Sequence, residues 1–351
     1  VTADNIKFSS SNPNVATVTT NFKSADNITI SIQLLKAGTT NIIGEVSGNG
    51  SYNAVKVQKE LTVDKASIPI EITNPTQTNF IATDILTLEA EGGSPKGEME
   101  FSVSEGTEYA EVYDSNKLRF KKAPGNFKIK AIKNEDDSYL TSFKETGILS
   151  VAKADQPEDL ELSIDNDSAA FPEDTRTFTL NNLAGNANFG FKVFTKTSDS
   201  SERESTSDEV TLSSSGNTAT VTFLKAGNFK INCDIDETDI YNQTEISKDI
   251  TIELKDPSTV AGFTLPNPST TYTINDKSLS DIQFDKISTP VSGTWSWKTP
   301  NTSIKERNVG SYNYSATFTP DNTVRYKPID RDITIQIIPK DLNSDDIEVT
   351  V

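Results

Sequence analysis

Residues 120–154 read FKKAPGNFKIKAIKNEDDSYLTSFKETGILSVAKA. After Gly125, the side chains of Phe127, Ile129 and Ala131 fall on one face of an extended chain, and those of Asn126, Lys128 and Lys130 on the other. A period of two with one polar face predicts a strand half buried in a layered β structure. The acidic stretch NEDDS at 134–138 predicts a loop, after which Tyr139 enters a closing strand that ends in LSV at 149–151.

The same pattern occurs three more times, at 34–66, 223–256 and 308–341. Each segment has a glycine (Gly38, Gly125, Gly227, Gly310) and a tyrosine 14 to 16 residues later (Tyr52, Tyr139, Tyr241, Tyr326). The glycines are 87, 102 and 83 residues apart. Periods of that size fit whole domains in series, not solenoid units of about 20–50 residues. Helix patterns are nearly absent, and turn residues recur every ~8–12 positions, as in an all-β sandwich.

The expected fold is therefore all-β: tandem immunoglobulin-like β-sandwich domains in an extended array. The expected units are 1–65, 66–154, 155–255 and 256–340, with 341–351 as the first strand of a further repeat. Only 37 residues precede Gly38, against 60 from Lys65 to Gly125, so the first unit is expected to lack about two strands. At the other end, KDLNSDDIEVTV (340–351) resembles KADQPEDLELSI (153–164).

Composition narrows the function classes. The 351 residues carry 51 acids against 33 bases, a net charge of −18. Such a surface repels phosphate backbones and argues against nucleic acid as a partner. The chain has no histidine, which removes the commonest general base and metal ligand, and with them serine and cysteine triads of the usual kind. A single cysteine, Cys233, cannot form an intrachain disulfide. It falls on the apolar face of its strand, where a thiol acts as a small hydrophobe. No apolar run approaches the 18 residues of a membrane span.

Two stretches carry a resemblance. FSSSNPNVATV at 8–18, followed by LKAGTTNI at 35–42, resembles the bacterial Ig-like (Big) domains of surface and secreted proteins. GTWSWK at 293–298, followed by VGSYNYSATFTPDNTVRY at 309–326, resembles modules of large cell-wall proteins in which a Gly-x-Trp strand precedes Phe-Thr-Pro and a tyrosine. The resemblance implies an extracellular, surface-anchored or secreted stalk or adhesin, without defining a ligand.

Three features are candidate sites. Trp295 and Trp297 share one face of a strand; facing solvent they would stack on a sugar ring, with Tyr326 as a third aromatic. The reading favoured by base rates is a core tryptophan, as in many immunoglobulin-like sandwiches. Asp136 and Asp137 in one loop, and Asp234, Asp236 and Asp239 in another, are candidate calcium ligands, because calcium takes oxygen donors. The competing reading, preferred for charge runs, is a solvated loop. SDSSERESTSDE at 198–209 is a Ser-rich insertion, expected to be a flexible solvated loop. No cofactor is called for apart from calcium.

The functional expectation is a non-catalytic extracellular stalk or adhesin segment that projects or presents a binding module. The alternatives are a module that binds host protein, cell-surface protein or glycan, and an accessory region of a secreted polysaccharide-degrading enzyme.

Overall fold

The structure is a computed structural model, described here for residues 5–24, 27–197, 201–273, 277–284, 289–305 and 307–341. The expected strand at 341–351 lies almost wholly outside the described residues. The described residues are arranged in strands, with two short 3-10 turns and no α-helix. None of them forms a helix long and apolar enough to cross a membrane. The chain divides into two compact units, one of Val1–Gln156 with Glu237–Asn242 and the other of Pro157–Asp236 with Gln243–Val351.

Each repeat glycine opens a central strand. These strands are Gly38–Val46, Gly125–Lys133, Gly227–Ile235 and Gly310–Pro320. Each pairs antiparallel with an earlier strand (Ile6–Ser10, Met99–Glu105, Phe189–Lys196 or Gly293–Trp297). Each also pairs antiparallel with a later one (Val55–Val63, Leu149–Ala152, Thr244–Ile252 or Ile329–Ile338). Register is repeated too: the glycines face Val63, Val151, Ile252 and Ile337. Gly310 requires its residue type, because its φ of +151° is a conformation that L side chains rarely adopt.

The position six residues beyond each opening glycine is always small and lies opposite an aromatic ring on the neighbouring strand. The pairs are Gly44 with Phe8, Ala131 with Phe101, Cys233 with Phe191, and Ala316 with Trp297. Cross-strand neighbours on one face of a sheet touch directly, and a small partner leaves room for the ring at these four positions. At Gly44 a Cβ would sit 3.0 Å from the Phe8 ring.

In the first unit, the first module has five described strands: the three-stranded sheet around Gly38–Val46 and a hairpin of Ala16–Ser24 with Asn27–Leu34. The second module adds Asn79–Ile81, parallel to Leu149–Ala152, and places Ala110–Tyr113, Lys117–Phe120 and Ile85–Thr87 in an opposing sheet. Phe80, Leu88, Leu118, Phe120, Phe127 and Ile129 fill the space between.

In the second unit, the third module has two four-stranded sheets. One is Glu161–Ile164, Thr175–Asn181, Thr218–Phe223 and Val210–Ser215, and the other contains Glu202–Glu204 beside Phe189–Lys196. Phe178, Val221, Phe223, Phe229 and Ile231 are buried between them. The fourth module has one four-stranded sheet, with Ser269–Thr271 parallel to Ile329–Ile338. Its inner face is covered by the turn Leu279–Asp281 and adjoining loops, through Leu279, Ile282 and Ile304. The chain is thus all-β, a series of tandem immunoglobulin-like domains.

Candidate functional site

The repeat tyrosine does not enter the last strand, as its sequence position suggested. Tyr52, Tyr139, Tyr241 and Tyr326 each stop three residues short of the next strand, which begins at Val55, at Ser142 (the short strand Ser142–Glu145, ahead of Leu149–Ala152), at Thr244 or at Ile329. What precedes each tyrosine is a side-chain-capped turn. Asn49 Oδ1 accepts from the Ser51 and Tyr52 amides, Asp136 Oδ1 from Ser138 and Tyr139, Thr238 Oγ1 from Ile240 and Tyr241, and Asn322 Oδ1 from Arg325. Short polar side chains favour such turns because they reach backbone donors two or three residues ahead.

In three modules this turn holds the incoming linker. The Ala66 amide donates to Ser138 O (2.9 Å), and Ala66 O accepts from Leu140 N (2.8 Å). The same two bonds tie Ala154 to Ile240 O and Asn242 N, and Lys255 to Arg325 O and Lys327 N. Lysines one residue earlier add ion pairs, Lys65 to Glu135 and Lys153 to Glu237, both at 2.8 Å. Register explains the recurrence: Ala66, Ala154 and Lys255 each lie three residues beyond the partner of an opening glycine.

The turns also reach the preceding module. Asp137 pairs with Lys36 at 2.9 Å. In the first unit, Ala123 N donates to Asp239 O at 2.8 Å, and Ile240 packs on the core around Phe80 and Phe127. That contact is why Glu237–Asn242 belongs to the first unit. In the second unit, Arg325 Nη2 donates to Asp174 Oδ1 at 2.9 Å.

The candidate carboxylates are therefore not gathered into one group. Asp136 accepts from the Ser94 hydroxyl and from the backbone amides of Ser138, Tyr139 and Lys96; these bonds hold its pKa at about 2. Asp137 is ion-paired with Lys36 and Asp234 with Lys192 (2.8 Å), while Asp234 Oδ1 also accepts from Asn232 Nδ2 (2.5 Å). Asp236 is exposed and donates its backbone amide to Asn188 O, while Asp239 takes part through its carbonyl. Among the described residues, no three acidic or cysteine side chains come together as a metal-binding group.

The aromatic candidates face inward, so no solvent-facing stacking platform is formed. Trp297 is buried, its Nε1 donating to Ile282 O at 3.2 Å, and its ring lies 4.4 Å from that of Phe284. Trp295 is half buried against Phe318 and Phe263, and its buried Nε1 has no acceptor among the described residues. Tyr326 packs on the small cluster of Val291, Phe318 and Ile329, while its backbone flanks the Lys255 bridge.

The Ser-rich insertion is more structured than its composition implied. Residues 198–200 lie outside the described residues. Beyond them Glu202–Glu204 forms a strand, and Arg203 grips Glu209 with two bonds of 2.8 and 2.7 Å. Glu209 also accepts from Thr206 N and Thr195 Oγ1. The Arg203 bond above all holds its pKa at about 2, against the opposing effect of burial. Arg325 and Ile240 were not picked out from the sequence, because their partners come from other segments of the fold.

No family model matches the sequence, and no curated protein matches it. Among solved structures, the chain is similar to domains 1–6 of the surface layer protein SbsC (13% identity, 98% of this chain and 48% of that chain, TM-score 0.25). It is also similar to zebrafish RET cadherin-like domains 1 to 4 (7% identity, 71% and 66%, TM-score 0.25). A third is the N-terminal four Ig domains of Dscam1 isoform 4.4 (9% identity, 95% and 91%, TM-score 0.23). The chain spans about half the length of the surface-layer structure.

Proposed function

We propose that this chain is a non-catalytic spacer segment of an extracellular surface protein, a stalk of bacterial Ig-like modules that presents a binding module carried elsewhere. The observation that supports this reading most directly is the thrice-repeated linker bridge, in which Ala66, Ala154 and Lys255 are each bonded on both sides to the turn of the module they enter. A linker built into the fold transmits load from module to module, and that is the task of a spacer. The absence of histidine, and of any gathered group of three acidic side chains among the described residues, gives no support to a hydrolytic centre. The inward-facing Trp295 and Trp297 give none to a sugar-stacking site on that strand.

The test is to probe the whole chain against glycan and cell-surface protein arrays, and to stretch it in a force spectrometer. A spacer gives no ligand above background and a series of unfolding peaks, one module at a time. A specific ligand, or turnover of a polysaccharide, would replace this reading with one of its alternatives.

A further inference from the structure

Four consecutive residues of the third module, Phe171-Pro172-Glu173-Asp174, meet the turn of the fourth. Asp174 Oδ1 accepts from Arg325 Nη2 at 2.9 Å, and Pro172 O accepts from Arg325 Nη1. Glu173 lies 3.5 Å from Arg325 Nη1 and accepts from Asn322 Nδ2 at 3.3 Å. The Lys255 ammonium lies 5.2 Å from the centre of the Phe171 ring. The Arg325 and Asp174 side chains are only 20% and 21% exposed. The corresponding pair between the first two modules, Lys36 and Asp137, is 44% and 68% exposed.

The backbone that presents these acceptors is strained. Glu173 has φ +74°, in the left-handed region that residues with side chains seldom occupy. It is held there by Glu173 N to Phe223 O (2.6 Å) and Phe223 N to Asp174 O (3.1 Å), on the strand that carries the buried Phe223. Such conformations persist where the surroundings over-determine them, and they cluster at functional contacts. Arginine suits this place better than lysine, since its planar fork satisfies a carboxylate and a carbonyl at once.

We infer that Arg325 is a lock that fixes the fourth module to the third, so that the two move as one body, and that breaking the Arg325–Asp174 contact converts the joint into a hinge. Domains within a chain move relative to one another by default unless the interface opposes it. Here Arg325 makes most of the polar contacts that oppose it, to Pro172, Glu173 and Asp174. The lock does not depend on the spacer reading, and either can fail without the other.

The experiment uses the full chain with spin labels on Ser213→Cys and Thr319→Cys, both exposed positions, one in each module. Cys233 is buried and stays unlabelled. Pulsed electron–electron resonance reads the width of the distance distribution. The expected result is a single narrow distribution in the parent and one at least about twofold broader in both Arg325→Met and Asp174→Asn. The exchanged pair Arg325→Asp with Asp174→Arg should recover part of the narrowing. Tryptophan near-ultraviolet dichroism reports folding of the fourth module. If Arg325→Met loses that signal, Asp174→Asn, on the other module, decides. An unchanged width in a folded Asp174→Asn or Arg325→Met variant overturns the lock.

Discussion

Cys233 lies directly across the sheet from Phe191, in the position that Gly44, Ala131 and Ala316 occupy opposite Phe8, Phe101 and Trp297. It is fully buried, and burial, with a smaller contribution from Asp234, pushes its pKa up to about 11. Size, not sulfur chemistry, is what this site selects. Cys233→Ala should cost little, whereas Cys233→Leu should destabilise the third module by about 1–3 kcal/mol through overpacking. Urea unfolding followed by Phe and Tyr signals checks both. The native chain should also leave Cys233 unreacted with a thiol reagent at pH 8 and react fully in denaturant.

Tyr314 has a buried hydroxyl with no partner among the described residues. An unsatisfied buried donor costs about 1–3 kcal/mol, so removing it should help. Tyr314→Phe should leave the fourth module as stable or raise its stability by about 1 kcal/mol. A fall in its melting temperature would mean that the hydroxyl has a partner.

Glu209 has its pKa held at about 2, from an ordinary 4.5, chiefly by Arg203. A carboxylate depressed on folding stabilises the native state above its unfolded pKa, and that contribution is lost as pH falls through the folded value. The loss attributable to Glu209 should therefore fall between about pH 4.5 and 2. Glu209→Gln should lower stability at pH 7 and flatten this part of the profile. Denaturation midpoints measured from pH 6 to 2 in both proteins provide the comparison.

Asp136 caps the turn that holds Ala66. Asp136→Asn keeps the acceptor and should keep the turn; Asp136→Ala should not. Amide exchange at Ser138, Tyr139 and Leu140 should accelerate in the alanine variant alone. Equal protection in both would show that the backbone bonds to Ala66 suffice.

The strand pattern was legible because side-chain alternation is local. Phe127, Ile129 and Ala131, read as inward from period two, are 1%, 0% and 0% exposed. The joints were not legible. Arg325 and Asp174 are 151 residues apart, and nothing in TVRY or PEDT announces the other. Ile240 reads as one apolar residue in an acidic loop, yet it packs on a core built from residues 80–151. The tyrosines were expected to enter the closing strand, but each lies three residues before the next strand, and in three modules its turn is bonded to the linker instead. The Ser-rich stretch is largely exposed, as expected, but composition counts its polar groups and does not show that Glu209 collects them or that Glu202–Glu204 pairs as a strand.

The bridge between linker and tyrosine turn also bears on how these modules can diverge. In variable immunoglobulin domains the loop between the last two strands is free to change length and carries recognition. Here that loop is bonded to the linker in three modules, through the residues on either side of Tyr139, Tyr241 and Tyr326. The interval is held at 14 residues in three modules and 16 in the fourth, while the glycines themselves are 83 to 102 residues apart. The variation in length between modules therefore lies mostly outside the Gly-to-Tyr half, in the stretch that holds the Ser-rich segment, and binding surfaces particular to one module should be sought there.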